Sequence, residues 1–216
     1  MRTTEQSEGY DIGVVNYGAG NLGNVLRALT ALRISHRLLE NSNDFAIQSP
    51  RILLLPGVGA FRPAMEKLSA TGWADLLKKW VDEGKPLVGI CAGMQLLCRS
   101  SSEDGETSGL GCFDAEIHRL SGLKKIPHMG WNTVEWENKP DGRHAARNFY
   151  FVHSYAAMRS PDCIGTTEVD GVTFCSALRR DNVVGFQFHP ERSGARGVDF
   201  LGDVLGSLLS KGDCSC

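Results

Sequence analysis

The chain has 216 residues, 42% hydrophobic and 22% charged, enough to bury roughly 70% of its unfolded surface without disulfide or metal staples. A net charge of −2, from 23 Lys+Arg against 25 Asp+Glu with no basic block, argues against nucleic acid or an anionic membrane as the main partner. No stretch has the apolar length of a membrane helix, residues 1–10 lack the apolar centre of a signal peptide, and seven irregularly spaced cysteines fit reduced thiols, so a cytoplasmic protein is expected.

Residues 1–10 and 211–216 read as flexible tails around a single domain over 11–210. Cys214-Ser215-Cys216, in the second tail, has no nearby His or second Cys pair to complete a metal site. Strand and helix patterns alternate through the first half. Asp11 to Val15 reads as a strand, Asn21 to Leu32 as a helix with Leu22, Val25, Leu26 and Leu29 on one face, and Ser35 to Leu39 as the next strand. Arg51 to Leu55 is a buried strand. Pro63 to Glu83 carries helical periodicity through Met65, Leu68, Trp73, Leu76, Leu77 and Trp80, with a break at Gly72. Another strand, Pro86 to Ile90, leads to Cys91 and a helical stretch from Met94, and Ser100 to Ser108 reads as the most mobile loop. From Cys112 to Phe188 the pattern is of short strands: Glu116 to Leu120, Thr133 to Trp136, Phe149 to Val152, Thr166 to Val169, Val172 to Leu178 and Val183 to Phe188. A closing helix covers about Gly197 to Leu209. The fold class is α/β: a mostly parallel central sheet with helices on both faces and an added antiparallel β region in the second half.

Gly89-Ile90-Cys91-Ala92-Gly93 puts a cysteine at a strand-to-helix turn. A residue strained at such a turn needs neighbours without a Cβ, which Gly89 and Gly93 supply. The helix that follows aims its first N–H groups at the sulfur, which favours thiolate. Gly185-Phe186-Gln187-Phe188-His189-Pro190-Glu191 delivers His189 at a strand end, where Pro190 restricts it to extended backbone and Glu191 is close enough to accept from the imidazole. A thiol nucleophile requires such an oriented base. His153 and His128 are rival bases, but neither has an acid two residues away. Pro56-Gly57-Val58-Gly59 follows a buried strand; its amides and that of Ala92 form a two-donor oxyanion hole if they share one cleft edge, and a simple turn otherwise. Gly18-Ala19-Gly20-Asn21-Leu22-Gly23, with Glu40 ending the next strand, has the spacing of a dinucleotide site, but Asn16 and Tyr17 intervene between strand and glycines. Zinc-ligand spacings are absent, so no metal is expected.

These motifs together resemble the class I, triad-type glutamine amidotransferases, over nearly the whole chain from Asp11 to Leu209. Within that family, Asn16 to Leu22, Pro127-His128-Met129-Gly130-Trp131-Asn132, Tyr150-Phe151-Val152-His153-Ser154-Tyr155 and Phe186 to Gly194 are similar to the glutaminase subunits of imidazole glycerol phosphate synthases. The resemblance implies a catalytic triad of Cys91, His189 and Glu191 that hydrolyses glutamine to glutamate and ammonia through a cysteine thioester. It implies oxyanion and substrate contacts from Gly57, Val58, Gly59, Ala92, Gln95, His153, Ser154 and Tyr155, and no cofactor. It also implies a (β/α)8-barrel cyclase as heterodimer partner, which uses the ammonia to make imidazole glycerol phosphate and an aminoimidazole carboxamide ribonucleotide. Asn16, Tyr17, Gly18, Asn21, Trp131, Asn132 and Arg192 fall on the implied interface. Two residues depart from the pattern: Ala92 replaces the usual leucine, and Val58 stands where many other class I members have glycine. The Val58 loop is therefore expected to misdirect its amide until a partner binds, leaving the isolated chain weakly active. The alternatives are a paralogous glutaminase feeding a surface-sugar amidating enzyme and a non-catalytic dinucleotide-binding module built on Gly18 to Gly23.

Overall fold

In the computed structural model, which describes residues 10–42, 44, 49–137 and 148–212, the apolar runs of the first half form strands separated by amphipathic helices. The order is β1 (Ile12–Val15), α1 (Leu22–Ala31), β2 (His36–Leu39), β3 (Ile52–Gly57), α2 (Phe61–Ala70), α3 (Trp73–Asp82), β4 (Leu87–Cys91) and α4 (Ala92–Leu96). The second half adds β5 (Ser100–Ser101), β6 (Thr107–Ser108), β7 (Glu116–Arg119), β8 (His128–Thr133), β9 (Glu135–Trp136), β10 (Asn148–His153), β11 (Tyr155–Ala157), β12 (Cys163–Val169), β13 (Val172–Arg180) and β14 (Val183–Phe186). A 3-10 turn, Pro190–Arg192, then leads into α5 (Gly194–Gly212).

The strands join in the order β2-β1-β3-β4-β14-β13-β11-β7-β5-β6, with β12 on β13 and β9 on β12. From β2 to β14 every pairing is parallel, and from β14 through β13 to β11 and β7 it is antiparallel. β8 and β10 form a separate antiparallel ribbon. This is the expected parallel sheet with an antiparallel extension. Alternation along β3 shows how it is covered: Leu53 and Leu55 pack with Leu68, Trp73 and Leu77 of α2 and α3, while Ile52 and Leu54 pack with Val25, Leu29, Leu201 and Leu205 of α1 and α5. A strand buried on both faces has no polar side to display, which is why the sequence reads Ile-Leu-Leu-Leu there. Among the described residues no helix is long and apolar enough to cross a membrane.

Several boundaries differ from the sequence reading. α2 opens at Phe61, so Pro63 lies inside the first turn, where its missing N–H leaves no helical bond unmade. The Gly72 break is real: Gly72 sits at φ +75° between α2 and α3. Tyr10, read as tail, is buried in the core. Ser100 to Ser108, read as mobile, is pinned by the β5–β6 pairing, by Phe61 N donating to Glu103 Oε2 and by Arg62 donating to Asp104 O. β8 and β11 were not legible as separate strands, and α5 extends from Gly194 to Gly212 because backbone bonding continues beyond its apolar stripe, into the segment read as tail. Cys214 and Cys216 lie outside the described residues.

Candidate active site

Cys91 ends β4 with φ 54° and ψ −116°, a region that side-chain-bearing residues rarely occupy. Such strain costs about 1–3 kcal/mol and persists only where the surroundings enforce it. Here enforcement comes from backbone packed on backbone: a Cβ on Gly93 would lie 1.9 Å from Leu55 O, and one on Gly57 would lie 2.3 Å from Gly93 N. A Cβ on Gly89 would meet Met94 Cα at 2.8 Å. The glycines flanking Cys91 thus let α4 begin immediately after the strand, directly against β3.

β14 runs parallel beside β4 with Phe186 opposite Ile90, so the residues that follow pass alongside Cys91. Alternation sorts them. Phe186 and Phe188 turn into an aromatic cluster with Phe149 and Phe200, Phe188 stacking on Phe149 at 3.9 Å between centroids. Gln187 and His189 face the other way, toward the cysteine. His189 N donates to Tyr150 O, and Ser193 Oγ donates to His189 O, fixing the backbone on both sides of the ring.

His189 Nδ1 lies 2.9 Å from Glu191 Oε1, with both side chains almost wholly buried. Among the described residues His189 Nε2 has no hydrogen-bond partner, leaving that nitrogen for the Cys91 side of the ring. Burial works against protonation of the ring, but the charge of the nearby Cys91, reinforced by Glu191, outweighs it and pushes the pKa up to about 10. The rival histidines are committed elsewhere. His153 Nδ1 lies 3.0 Å from Tyr155 O and its Nε2 3.0 Å from His128 Nδ1; burial pushes the His153 pKa down to about 3 and also lowers that of His128.

Cys91, Ala92 and His189 open onto a cavity of about 330 Å³ lined also by Val58, Gly59, Gln95, His153, Ser154 and Tyr155. That volume suits a small molecule. Gly57 pairs with Cys91 across β3 and β4, Val58 is 40% exposed, and Gly59 has φ +91°. The structure therefore gathers the residues expected at the nucleophile, the oxyanion loop and the substrate contacts. It adds Glu103, which carried no sequence signal, and Pro127 and Val152, which the sequence offered only as members of the Pro127 to Asn132 and Tyr150 to Tyr155 motifs. Gln187, whose position between two inward phenylalanines was a legible one, comes within 3.8 Å of Cys91 Sγ. Gln95 lines the cavity, but its Nε2 is already engaged, donating to Tyr155 O and to Gln187 Oε1 at 2.9 Å each.

The residues expected at a partner face divide. Trp131 is 59% exposed, edge-on to Tyr150, and Arg192 lies 4.4 Å over the same tyrosine ring; Met129, two residues along β8, is exposed as well. Gly18 is exposed, and Asn16, Asn21 and Asn132 are partly so. Tyr17 is the correction. Its side chain is only 2% exposed, and its hydroxyl pKa is raised first by burial and then by the charge of Cys91, so in this chain it packs under the site. The Gly18 to Gly23 loop is closed by Gly18 N donating to Asn16 Oδ1 and by Lys67 Nζ donating to Gly18 O.

Comparison with known proteins places this geometry. The family described as "Glutamine amidotransferase class-I" matches residues 13–203. The chain is 41% identical to imidazole glycerol phosphate synthase subunit HisH of Geobacillus thermodenitrificans, over 93% of this chain and 97% of that one. It is 42% identical to the subunit of the same name from Methanopyrus kandleri, over 90% and 96%. The solved structure of PurLQS from Thermotoga maritima superposes with a TM-score of 0.68 at 19% identity, covering 94% of this chain and 99% of that one, which shows the shared fold. On the match over residues 13–203, and with relatives above 40% identity along nearly their whole length, the chain belongs to the class-I glutamine amidotransferase family.

Proposed function

We propose that this chain is the glutaminase subunit of an imidazole glycerol phosphate synthase, acting as a single domain with Cys91 as nucleophile. The observation that carries the reading is the convergence of a strained strand-end cysteine and a buried His189–Glu191 pair on one small cavity. In this mechanism His189 holds the proton from Cys91, and the thiolate attacks the side-chain carboxamide carbon of glutamine. The Ala92 amide, with one from the Gly57-Val58-Gly59 loop, stabilises the tetrahedral oxyanion. Protonated His189 gives its proton to the departing ammonia, leaving a glutamyl thioester; water, deprotonated by His189, then releases glutamate. Glu191 keeps the imidazole in the tautomer and orientation that both halves require. Gln95, His153, Ser154 and Tyr155 line the substrate side of the cavity.

Ammonia released into water becomes mostly ammonium, so a partner must receive it at the site. In this reading the partner is a (β/α)8-barrel cyclase, docked over the exposed Trp131, Met129 and Arg192. The names of the HisH relatives favour this acceptor over a surface-sugar amidating enzyme. Five described cysteines are all unbridged, which fits the reducing cytoplasm. The test is glutamate release from glutamine by the full chain, alone and with the cyclase and its nucleotide. Release that rises with the complete complex and disappears in Cys91→Ala supports the reading; no release in either state overturns it.

A further inference from the structure

Gln187 is wholly buried, has no part in the mechanism above, and uses both ends of its side-chain amide at the reacting centre. The orientation of that amide follows from a chain of contacts anchored on a backbone carbonyl. Tyr155 O can only accept, so the Gln95 side-chain atom 2.9 Å from it is the nitrogen. The same Gln95 Nε2 lies 2.9 Å from a Gln187 side-chain atom, which must then be the oxygen. Gln187 is left with its Nε2 facing Cys91 Sγ at 3.8 Å, as a donor. His153 Nδ1, 3.0 Å from Tyr155 O, takes up that carbonyl's remaining capacity and steadies the far end of the chain. The Gln187 backbone is equally fixed, its N–H donating to Ser176 O at 2.9 Å.

We propose that Gln187 is a further catalytic residue of the thioester reaction: its Nε2–H donates to Cys91 Sγ and holds the sulfur as thiolate before attack and again when the thiolate departs from the acyl-enzyme. The proposal rests on Cys91 being the nucleophile. No proton leaves the amide; the Cys91 proton passes to His189 and then to ammonia, and Gln187 contributes only a hydrogen bond. That bond strengthens when the acceptor is charged and weakens when the sulfur is acylated, so it favours the states in which the sulfur carries charge. An apolar residue at this position would leave Gln95 Nε2 with Tyr155 O as its one acceptor and the sulfur without its donor.

Alkylation of Cys91 by iodoacetamide, followed on the Cys91 peptide by mass spectrometry across pH, reports thiolate population independently of turnover. The other titratable groups facing the sulfur and cavity are His189 after β14, Tyr17 after β1, His153 ending β10 and Glu103 after β5, and all stay in place in the variants. In Gln187→Met, which removes the donor at similar length, the alkylation midpoint should rise by about one pH unit and kcat for glutamate release should fall about tenfold, with KM changed by less than about twofold. Gln187→Glu keeps the acceptor for Gln95 and sets a carboxylate beside the sulfur, so its midpoint should rise further. An unchanged midpoint and kcat in either folded variant overturns the proposal. Should neither fold, the wild-type chain gives the answer by NMR: the Gln187 side-chain amide resonances should shift across the Cys91 midpoint and lose that shift in Cys91→Ala, and their indifference to pH overturns the proposal equally. Full glutamate release by Cys91→Ala would remove the nucleophile itself, whereas an inactive Cys91→Ala beside a normal Gln187→Met removes only the role of Gln187.

Discussion

His189 Nδ1 lies 2.9 Å from Glu191 Oε1, while Glu191 Oε2 is buried without a hydrogen-bond partner among the described residues. The carboxylate is therefore tied to the site through one bond, to the ring it orients. Glu191→Gln can keep that bond only by rotating its oxygen toward Nδ1, and the wrong rotamer would offer a donor to a donor. Glutaminase kcat in the Glu191→Gln complex should fall by about 10²- to 10⁴-fold with the fold intact, checked by glutamate release beside a thermal melt.

Protonation of His189 links the site to stability. Its pKa is about 10 in the folded chain, against an ordinary value of 6.5. A base that binds its proton more tightly when folded stabilises the fold fully below about pH 6.5, and that contribution is lost as pH rises through about 10. Since Cys91 supplies the largest favourable influence, Cys91→Ala should lower the His189 midpoint measured by imidazole NMR and flatten the loss of stability between those limits. An unchanged midpoint would show that Glu191 alone holds the proton.

His153 behaves oppositely. Burial holds it neutral down to about pH 3, whereas the unfolded ring takes up a proton near pH 6.5. Its contribution is present above pH 6.5 and is lost as pH falls toward about 3, at up to about 1.4 kcal/mol per pH unit. Urea titrations between pH 4 and 7 should show this slope, and His153→Gln should reduce it.

The turn at Cys91 depends on Gly93. Because an added Cβ would lie 1.9 Å from Leu55 O, Gly93→Ala must push α4 away from β3 or break the elbow. A loss of about 3 kcal/mol or more is expected, read as a large drop in the denaturant midpoint.

Trp131 is the contrasting case. Its ring is 59% exposed, so Trp131→Ala should alter the stability of the free chain by less than about 0.5 kcal/mol while weakening the cyclase complex by about 2 kcal/mol or more. Calorimetric titration of one subunit into the other decides it; an unaltered affinity would remove Trp131 from the docking face.

The two-sided sheet was legible because Ile52 to Leu55 and Leu87 to Ile90 are apolar at consecutive positions, a pattern that a half-exposed strand does not produce. Cys91 and His189 were legible because glycines and a proline mark their backbone constraints. What the sequence concealed was side-chain direction within irregular segments. Tyr17 follows Asn16 in a loop where no periodicity says which way a ring points, and it turned inward. Glu103 sits in a polar stretch that composition alone marks as solvent-facing, yet it accepts from Phe61 N and lines the cavity. Gln187 was the nearest miss: alternation with Phe186 and Phe188 puts it on the same side as His189, and only its partners were hidden.

Cys91 ends β4 and Gln187 directly follows the neighbouring strand β14, yet the two are 96 residues apart in the chain. During synthesis the cysteine emerges well before any residue of β14, so a nascent or truncated chain carries an ordinary thiol with neither amide nor imidazole beside it. In the proposed mechanism its role as nucleophile thus belongs to the completed β4–β14 pairing, and a fragment ending before that strand lacks both Gln187 and His189.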